Sequence, residues 1–192
     1  MNAFEYLKAK LLHGPFRRKM YDLRVFCNRS RQFRVGETDL PLLRQLQTQG
    51  GFVSSLDELK FDTSRVMFEA AKRAALSMPD ASSLSKMGDK LLGRNTYLHC
   101  FSLDPPQLIT WDPSIVLWGL EERLLDLAEV YFGLPPALTT VHLRKDVGTG
   151  EQVGTRYWHL DTEDEKVLRL IVYLSDVTIH DGPFEYISLG LQ

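Results

Sequence analysis

The amino-acid sequence predicts an α+β protein whose helices come first and whose sheet comes last. Residues 36–135 place apolar side chains at helical spacing, interrupted by short strand-like runs. Residues 137–187 are instead dense in β-forming residues and tight-turn signals. The order of the two blocks, helices then strands rather than βαβ alternation, separates α+β from α/β.

The elements follow in chain order. Phe4, Leu7 and Leu11 share one face of a short helix from Ala3 to about Leu12, which Gly14-Pro15 ends. Residues 16–35 are basic and mixed in pattern; they are unassigned, either a surface appendage or part of a substrate rim. Residues 1–35 are therefore set apart as an N-terminal segment, and 36–192 as the domain. Asp39 is the expected cap of a helix with Pro41 in its first turn and Leu42, Leu43 and Leu46 on its apolar face. Gly50-Gly51 stops that helix, the usual place of glycine at C′. "FVSSL" reads as a short strand, with Ser55 or Asp57 opening the next segment. "DTSRVMFEAAKRAALSM" reads as an amphipathic helix with Met67, Ala70, Ala71 and Ala74 on one face, ended by Pro79-Asp80.

Residues 81–95 are polar and glycine-bearing, a loop or broken helix. "TYLHCFSL" is a strand carrying His99, whose ordinary role is a satisfied structural histidine, and Pro105-Pro106 breaks it. "DPSIVLWGLEERLLDLAEVYFGLPP" is the clearest helix signal. Asp112 or Ser114 caps it; Ile115, Trp118, Leu125 and Ala128 lie near one face, which Leu124, Leu127 and Tyr131 widen; Gly133 closes it before Pro135-Pro136. Its Glu121-Glu122 pair reads as solvated surface. "ALTTVHLRKDV" is a strand. The glycine-rich "GTGEQVGTR" lacks the Lys-Ser or Lys-Thr ending of a phosphate loop and no helix follows it, so a nucleotide role is excluded.

Composition removes further classes. The 192 residues are 44% hydrophobic and 25% charged, ordinary for one globular domain. A net charge of -2 provides no overall positive field for nucleic acid or an anionic membrane. Cys27 and Cys100 stand outside any CxxC spacing, so neither a zinc ribbon nor a dithiol redox motif is expected. No apolar run approaches the ~18 residues of a membrane span, and the mixed N-terminus does not read as a signal peptide; a cytoplasmic location is the expectation.

The chemistry concentrates in "RYWHLDTEDEKVLRLIVYLSDVTIHDGPFEYI", residues 156–187. On a β-strand, residues two apart project from one face, so His159 and Asp161 can offer an imidazole nitrogen and a carboxylate oxygen to one ion. Mixed nitrogen and oxygen ligands suit a divalent first-row metal, and two His with one carboxylate is the facial set for non-haem Fe(II). A lone His-x-Asp arises by chance roughly one time in three in a chain of this composition. The surroundings add weight: an apolar run over "VLRLIVYLSDV", a turn at "HDGPF" in which Gly182 permits positive φ, and a further strand at "FEYI".

Trp158-His159-Leu160-Asp161, "IVYLSDV" and Asp181-Gly182-Pro183, entered through the helix "LLDLAEVYFG", resemble the phytanoyl-CoA dioxygenase-like family of Fe(II)/2-oxoglutarate-dependent oxygenases. The resemblance is specific over about residues 112–187 and suggestive over 38–60. It implies a double-stranded β-helix, the cupin-like jelly-roll, with N-terminal helices packed on it: a helical part over 36–135 and the start of the β-helix core over 137–192. It implies Fe(II), 2-oxoglutarate and O₂ acting on a small-molecule substrate, with 2-oxoglutarate oxidatively decarboxylated as an unactivated C–H bond is hydroxylated. His159 and Asp161 take the place of iron ligands. His142, Arg144, Arg169 and Tyr173 are the candidate 2-oxoglutarate contacts, Arg169, Ile171 and Tyr173 falling on one strand face.

The family also carries a second histidine and a more distal basic residue. Here only His180 follows Asp161, inside the turn, and no Lys or Arg follows Arg169. The expectation is a barrel incomplete at its C-terminal side, with an exposed strand edge and an unburied apolar face, a route to self-association. The alternative to an oxygenase is a jelly-roll module that binds a ligand or partner without oxidation.

Overall fold

The computed structural model describes residues 15–79, 100–146, 157–159 and 165–189. The helix expected at 3–12, the loop at 81–95, His99, the glycine-rich loop and Asp161 lie outside the described residues. Within them the protein is mixed α+β. Helices α1 (Pro15–Asn28), α2 (Leu40–Gln49), α3 (Leu56–Leu59) and α4 (Ser64–Ser77) precede strand β1 (Cys100–Leu103). Helices α5 (Pro105–Trp111), α6 (Ser114–Leu117) and α7 (Glu122–Phe132) then lead to strand β2 (Leu143–Asp146). β1 and β2 form an antiparallel pair in the register Cys100↔Asp146 through Leu103↔Leu143.

The larger core forms where α4 lies against α6. Met67, Ala70, Ala71 and Ala74 are buried at the spacing the sequence predicts. Three alanines in that stripe leave no bulk between the helices, so Ile115 and Trp118 approach closely and the core fills from the opposite side. The indole Nε1–H of Trp118, buried with its partner, donates to Ser64 Oγ at 3.0 Å, which satisfies two polar groups that would otherwise be stranded. Phe61 meets the same indole with tilted rings at 6.0 Å. A second cluster joins Leu43 and Leu46 of α2 to Leu127 of α7.

The helix boundaries follow local chemistry. Gly50 (φ 82) and Gly133 (φ 68) adopt the left-handed conformation that ends α2 and α7. Ser55 and Glu58 form a reciprocal capping box at α3, and Ser54 also donates to Glu58. These bonds, that of the Ser55 backbone first, hold the Glu58 carboxyl below the usual carboxylate range. They also explain why "FVSSL" is not a strand: both serines are committed to starting the next helix.

Other readings are corrected. Pro15 opens α1, and Pro105, which follows the end of β1 as expected, also opens α5, since a helix does not need the N–H of its first residue. The single helix expected from 112 onward is broken at Trp118–Leu120, a 3₁₀ turn, and Glu121 is extended (φ -53, ψ 131). The break shifts the helical phase: Leu124 and Leu127, expected to widen the face, are buried with Ala128, and Leu125 is only half-buried. A side chain at Gly119 would reach 3.3 Å from Leu138, which keeps the broken turn packed against the following chain. Glu121 is bound rather than solvated: its carboxylate accepts from the Thr63 backbone at 3.3 Å and from the Thr63 hydroxyl.

Asp39 sits at the cap position of α2, yet its carboxylate makes no cap bond. It is buried and accepts from Arg123 Nε at 3.0 Å and Nη2 at 2.5 Å. Arg123 Nη1 donates to the carbonyls of Leu59 and Lys60 at 2.8 and 3.1 Å. One guanidinium therefore ties α7 to the start of α2 and the end of α3. Bonding to Asp39 raises the Arg123 pKa further above its ordinary value, so this cation persists across the accessible pH range.

The stretches "VLRLIVYLSDV" and "FEYI" enter no ladder among the described residues. Residues 171–174 nevertheless alternate in burial, whereas Leu170 is 45% exposed and breaks the pattern before them. Val172 and Leu174 pack on the larger core and Leu168 on the smaller, while Arg169, Ile171 and Tyr173 face outward. The period of two over 171–174 is that of extended chain lying on the helices, outside any ladder among the described residues. Further on, Gly50 and Gly51 leave room for Leu189 and the Tyr186 ring; a Cβ at either glycine would come within 3.1–3.3 Å of them.

Candidate metal centre

His159 lies in an exposed stretch with Tyr157 and Trp158. Its Nδ1 is 2.7 Å from the Tyr157 carbonyl oxygen. A carbonyl only accepts, so Nδ1 carries the proton and, in the neutral ring, Nε2 holds the lone pair. Ligating histidines commonly use this arrangement, with a backbone acceptor on one nitrogen fixing the tautomer for the other. The residue therefore fits a divalent ion on the observation available for it. Asp161, the second expected ligand, lies outside the described residues. Among the described residues no group of three His, Cys, Asp or Glu side chains is placed to hold a metal.

The four candidate 2-oxoglutarate contacts come in two pairs. His142 and Arg144 flank the buried Leu143, so strand alternation puts both on the exposed face of β2. His142 Nδ1 is 3.2 Å from Asp104 Oδ1, and its Nε2 is 3.0 Å from the Thr140 hydroxyl. Arg144 bonds Asp146, two residues along the same face, through Nε at 3.1 Å and Nη2 at 2.8 Å. Both side chains thus already have carboxylate partners. Arg169 and Tyr173 share the outward face of the extended segment, as the sequence predicts. The Tyr173 hydroxyl accepts from the Phe184 backbone N–H at 2.8 Å, which joins the segment to the chain beyond the turn.

That turn has the expected chemistry. Gly182 is left-handed (φ 70) and a Cβ there would meet nothing within 4 Å, so its role is conformational. Asp181 accepts from the Thr178 hydroxyl at 2.7 Å and backbone N–H at 2.8 Å, which holds its carboxyl below the usual range, the hydroxyl contributing most. The His180 N–H donates to Thr178 Oγ1 at 3.3 Å, so the backbone of His180 belongs to this turn.

Comparison with protein-family models, curated proteins and solved structures returned no match. Sequence reasoning missed Asp104 and Asp146, the partners of two candidate residues. The signal for Asp146 was available, since it stands two residues from Arg144 on one strand face, whereas Asp104 is far from His142 in the chain.

Proposed function

We propose that the protein is an Fe(II)/2-oxoglutarate oxygenase-type chain in which His159 and Asp161 hold the metal. The observation that carries the reading is the His159-x-Asp161 pair in its setting, with Trp158 before it and the "IVYLSDV" segment and Gly182 turn behind it. The tautomer of His159, which presents Nε2 as the lone-pair nitrogen, supports it. A jelly-roll core is part of the same proposal, supported by the period-two burial of residues 171–174. When bound, Fe(II) would activate O₂, the oxidant, with 2-oxoglutarate supplying two electrons as it is decarboxylated to succinate and CO₂ and the other oxygen atom hydroxylating a small organic substrate.

The chain's own contributions are recognition and orientation. The Tyr157 carbonyl fixes the His159 ring. Arg144 and Arg169 are the cations suited to a dicarboxylate, with His142 and Tyr173 beside them on their respective faces. Equilibrium dialysis of the chain against labelled 2-oxoglutarate, without oxygen, tests this. Retention that requires Fe(II) and is lost in His159→Ala is expected; retention indifferent to the metal and to that substitution would remove the reading. A non-catalytic binding module is the second reading, favoured by the carboxylates that already occupy His142 and Arg144.

A further inference from the structure

Helix α1 carries a stripe that the fold does not use up. Arg18, Tyr21 and Val25 recur three or four residues apart on one helical face, Phe26 widens it, and Arg29 follows just past the end of the helix. Val25 meets the C-terminal end of α7, where a Cβ on Gly133 would come 3.3 Å from its Cγ1. The Tyr21 hydroxyl donates to the Phe132 carbonyl. These contacts join the two helices, and beside them lies an open groove of about 430 Å³, lined also by Phe132 and Lys166. That volume lies within the range of small-molecule sites.

Charge separates this groove from an ordinary surface cleft. Arg18 is matched twice, by Asp22 at 3.6 Å and by Glu165 at 3.4 Å. Arg29 and Lys166 have no carboxylate partner among the described residues. Each is instead held over aromatic rings. The Arg29 guanidinium carbon lies 4.0 Å from the Phe26 centroid, and Lys166 Nζ lies 5.5 and 5.2 Å from the Tyr21 and Tyr131 centroids. Stacking uses the face of a guanidinium and leaves its in-plane N–H donors available. Lys166 gives one hydrogen to the Tyr131 carbonyl at 3.3 Å and keeps two.

Two positioned, unneutralised cations above an apolar floor fit an anion that carries an apolar body. The Asp22 carboxylate on the same wall favours a singly charged head over a doubly charged phosphate. We propose that this groove binds a small monocarboxylic acid with an apolar tail, its carboxylate drawn to Arg29 and Lys166 and its tail laid along Val25, Phe26 and Phe132. The proposal does not depend on the iron reading, because none of these residues belongs to that site.

Octanoate is a suitable probe, being monomeric at assay concentrations. Titration calorimetry of the full chain at neutral pH is expected to show saturable binding of one octanoate, weakening with added salt. Arg29→Gln and Lys166→Gln should each weaken it by about fivefold, the scale of one charge-assisted contact at a solvated site. Octan-1-ol, with the same tail and no charge, should bind at least tenfold more weakly. Both positions are solvent-facing, and unchanged circular dichroism confirms that the variants fold. Three outcomes would overturn the proposal: no saturable octanoate binding, equal binding of the alcohol, or affinity untouched in the double variant. Pelleting of the chain with phosphatidylglycerol vesicles without octanoate binding would also overturn it, making a lipid surface the ligand.

Discussion

Replacing Arg123 with methionine should destabilise the protein by about 3 kcal/mol, because it strands Asp39. The Asp39 side chain is only 6% exposed, and Arg123 supplies both of its close hydrogen bonds. Removing one partner of a buried pair costs about 3–5 kcal/mol. The 37% exposure of the Arg123 side chain admits water to its end of the pair, which places the value at the lower limit. Loss of the guanidinium stacked 4.9 Å from the Phe61 centroid and of its bonds to two carbonyls prevents a smaller figure. Arg123→Lys keeps the charge but not the fork, so about half that loss is expected. Urea unfolding followed by circular dichroism reads the effect directly. With a slope of about 2–3 kcal/mol per molar, the midpoint should fall by about 1 M. A double-mutant cycle with Asp39→Leu isolates the pair, since the double variant leaves no buried charge and should recover much of the loss. A loss under about 1 kcal/mol for Arg123→Met, or strict additivity in the cycle, would refute the account of how α2, α3 and α7 are joined.

Further outcomes follow from other sites. Lys60 ends α3 in the left-handed region (φ 52), so Lys60→Gly should stabilise by about 0.5 kcal/mol, whereas Gly50→Ala should cost about 1–2 kcal/mol through φ and its clash with Leu189; thermal melts distinguish the signs. Hydrogen bonds from the Ser114 hydroxyl, then its backbone N–H, hold the Asp112 carboxyl below its ordinary pKa. A lowered folded pKa contributes stability above the unfolded value of about 4 that disappears as pH falls through the folded one. Wild type should therefore exceed Asp112→Asn by about 0.5 kcal/mol at neutral pH, with the gap closing in urea titrations below pH 4. Ile171, Ile179, Phe184 and Ile187 are 46–73% exposed, so the chain should self-associate with concentration in sedimentation velocity, and Ile171→Lys with Ile187→Lys should suppress it; a monomer at every concentration would contradict this.

The sequence made some of these features legible and hid others for physical reasons. The face of α4 was readable because four small or apolar residues repeat at helical spacing over one uninterrupted helix. Gly50, Gly133 and Gly182 were readable because the left-handed backbone selects glycine at a local position. The alternation at 171–174 was equally local. Helix α1 was not readable, because its stripe mixes arginines with aromatics and so carries no clean apolar period. The break at Gly119 was hidden for a different reason: apolar residues continue through it, and only packing against Leu138 favours the turn. The Asp39–Arg123 pair joins residues 84 apart in the chain, and no local pattern marks either member. At the metal centre, the dipeptide and the Arg144–Asp146 pair were visible in the residues, whereas the carboxylate of Asp104 that engages His142 depends on how β2 meets the start of α5.

Anaerobic Fe(II) binding by the full chain, measured as metal retained after equilibrium dialysis, tests the central claim most directly. The account predicts close to one Fe(II) per chain, with affinity reduced at least tenfold in His159→Ala and in Asp161→Ala while both variants keep the wild-type circular dichroism spectrum. Fe(II) retained equally by all three proteins, or by none, would contradict it.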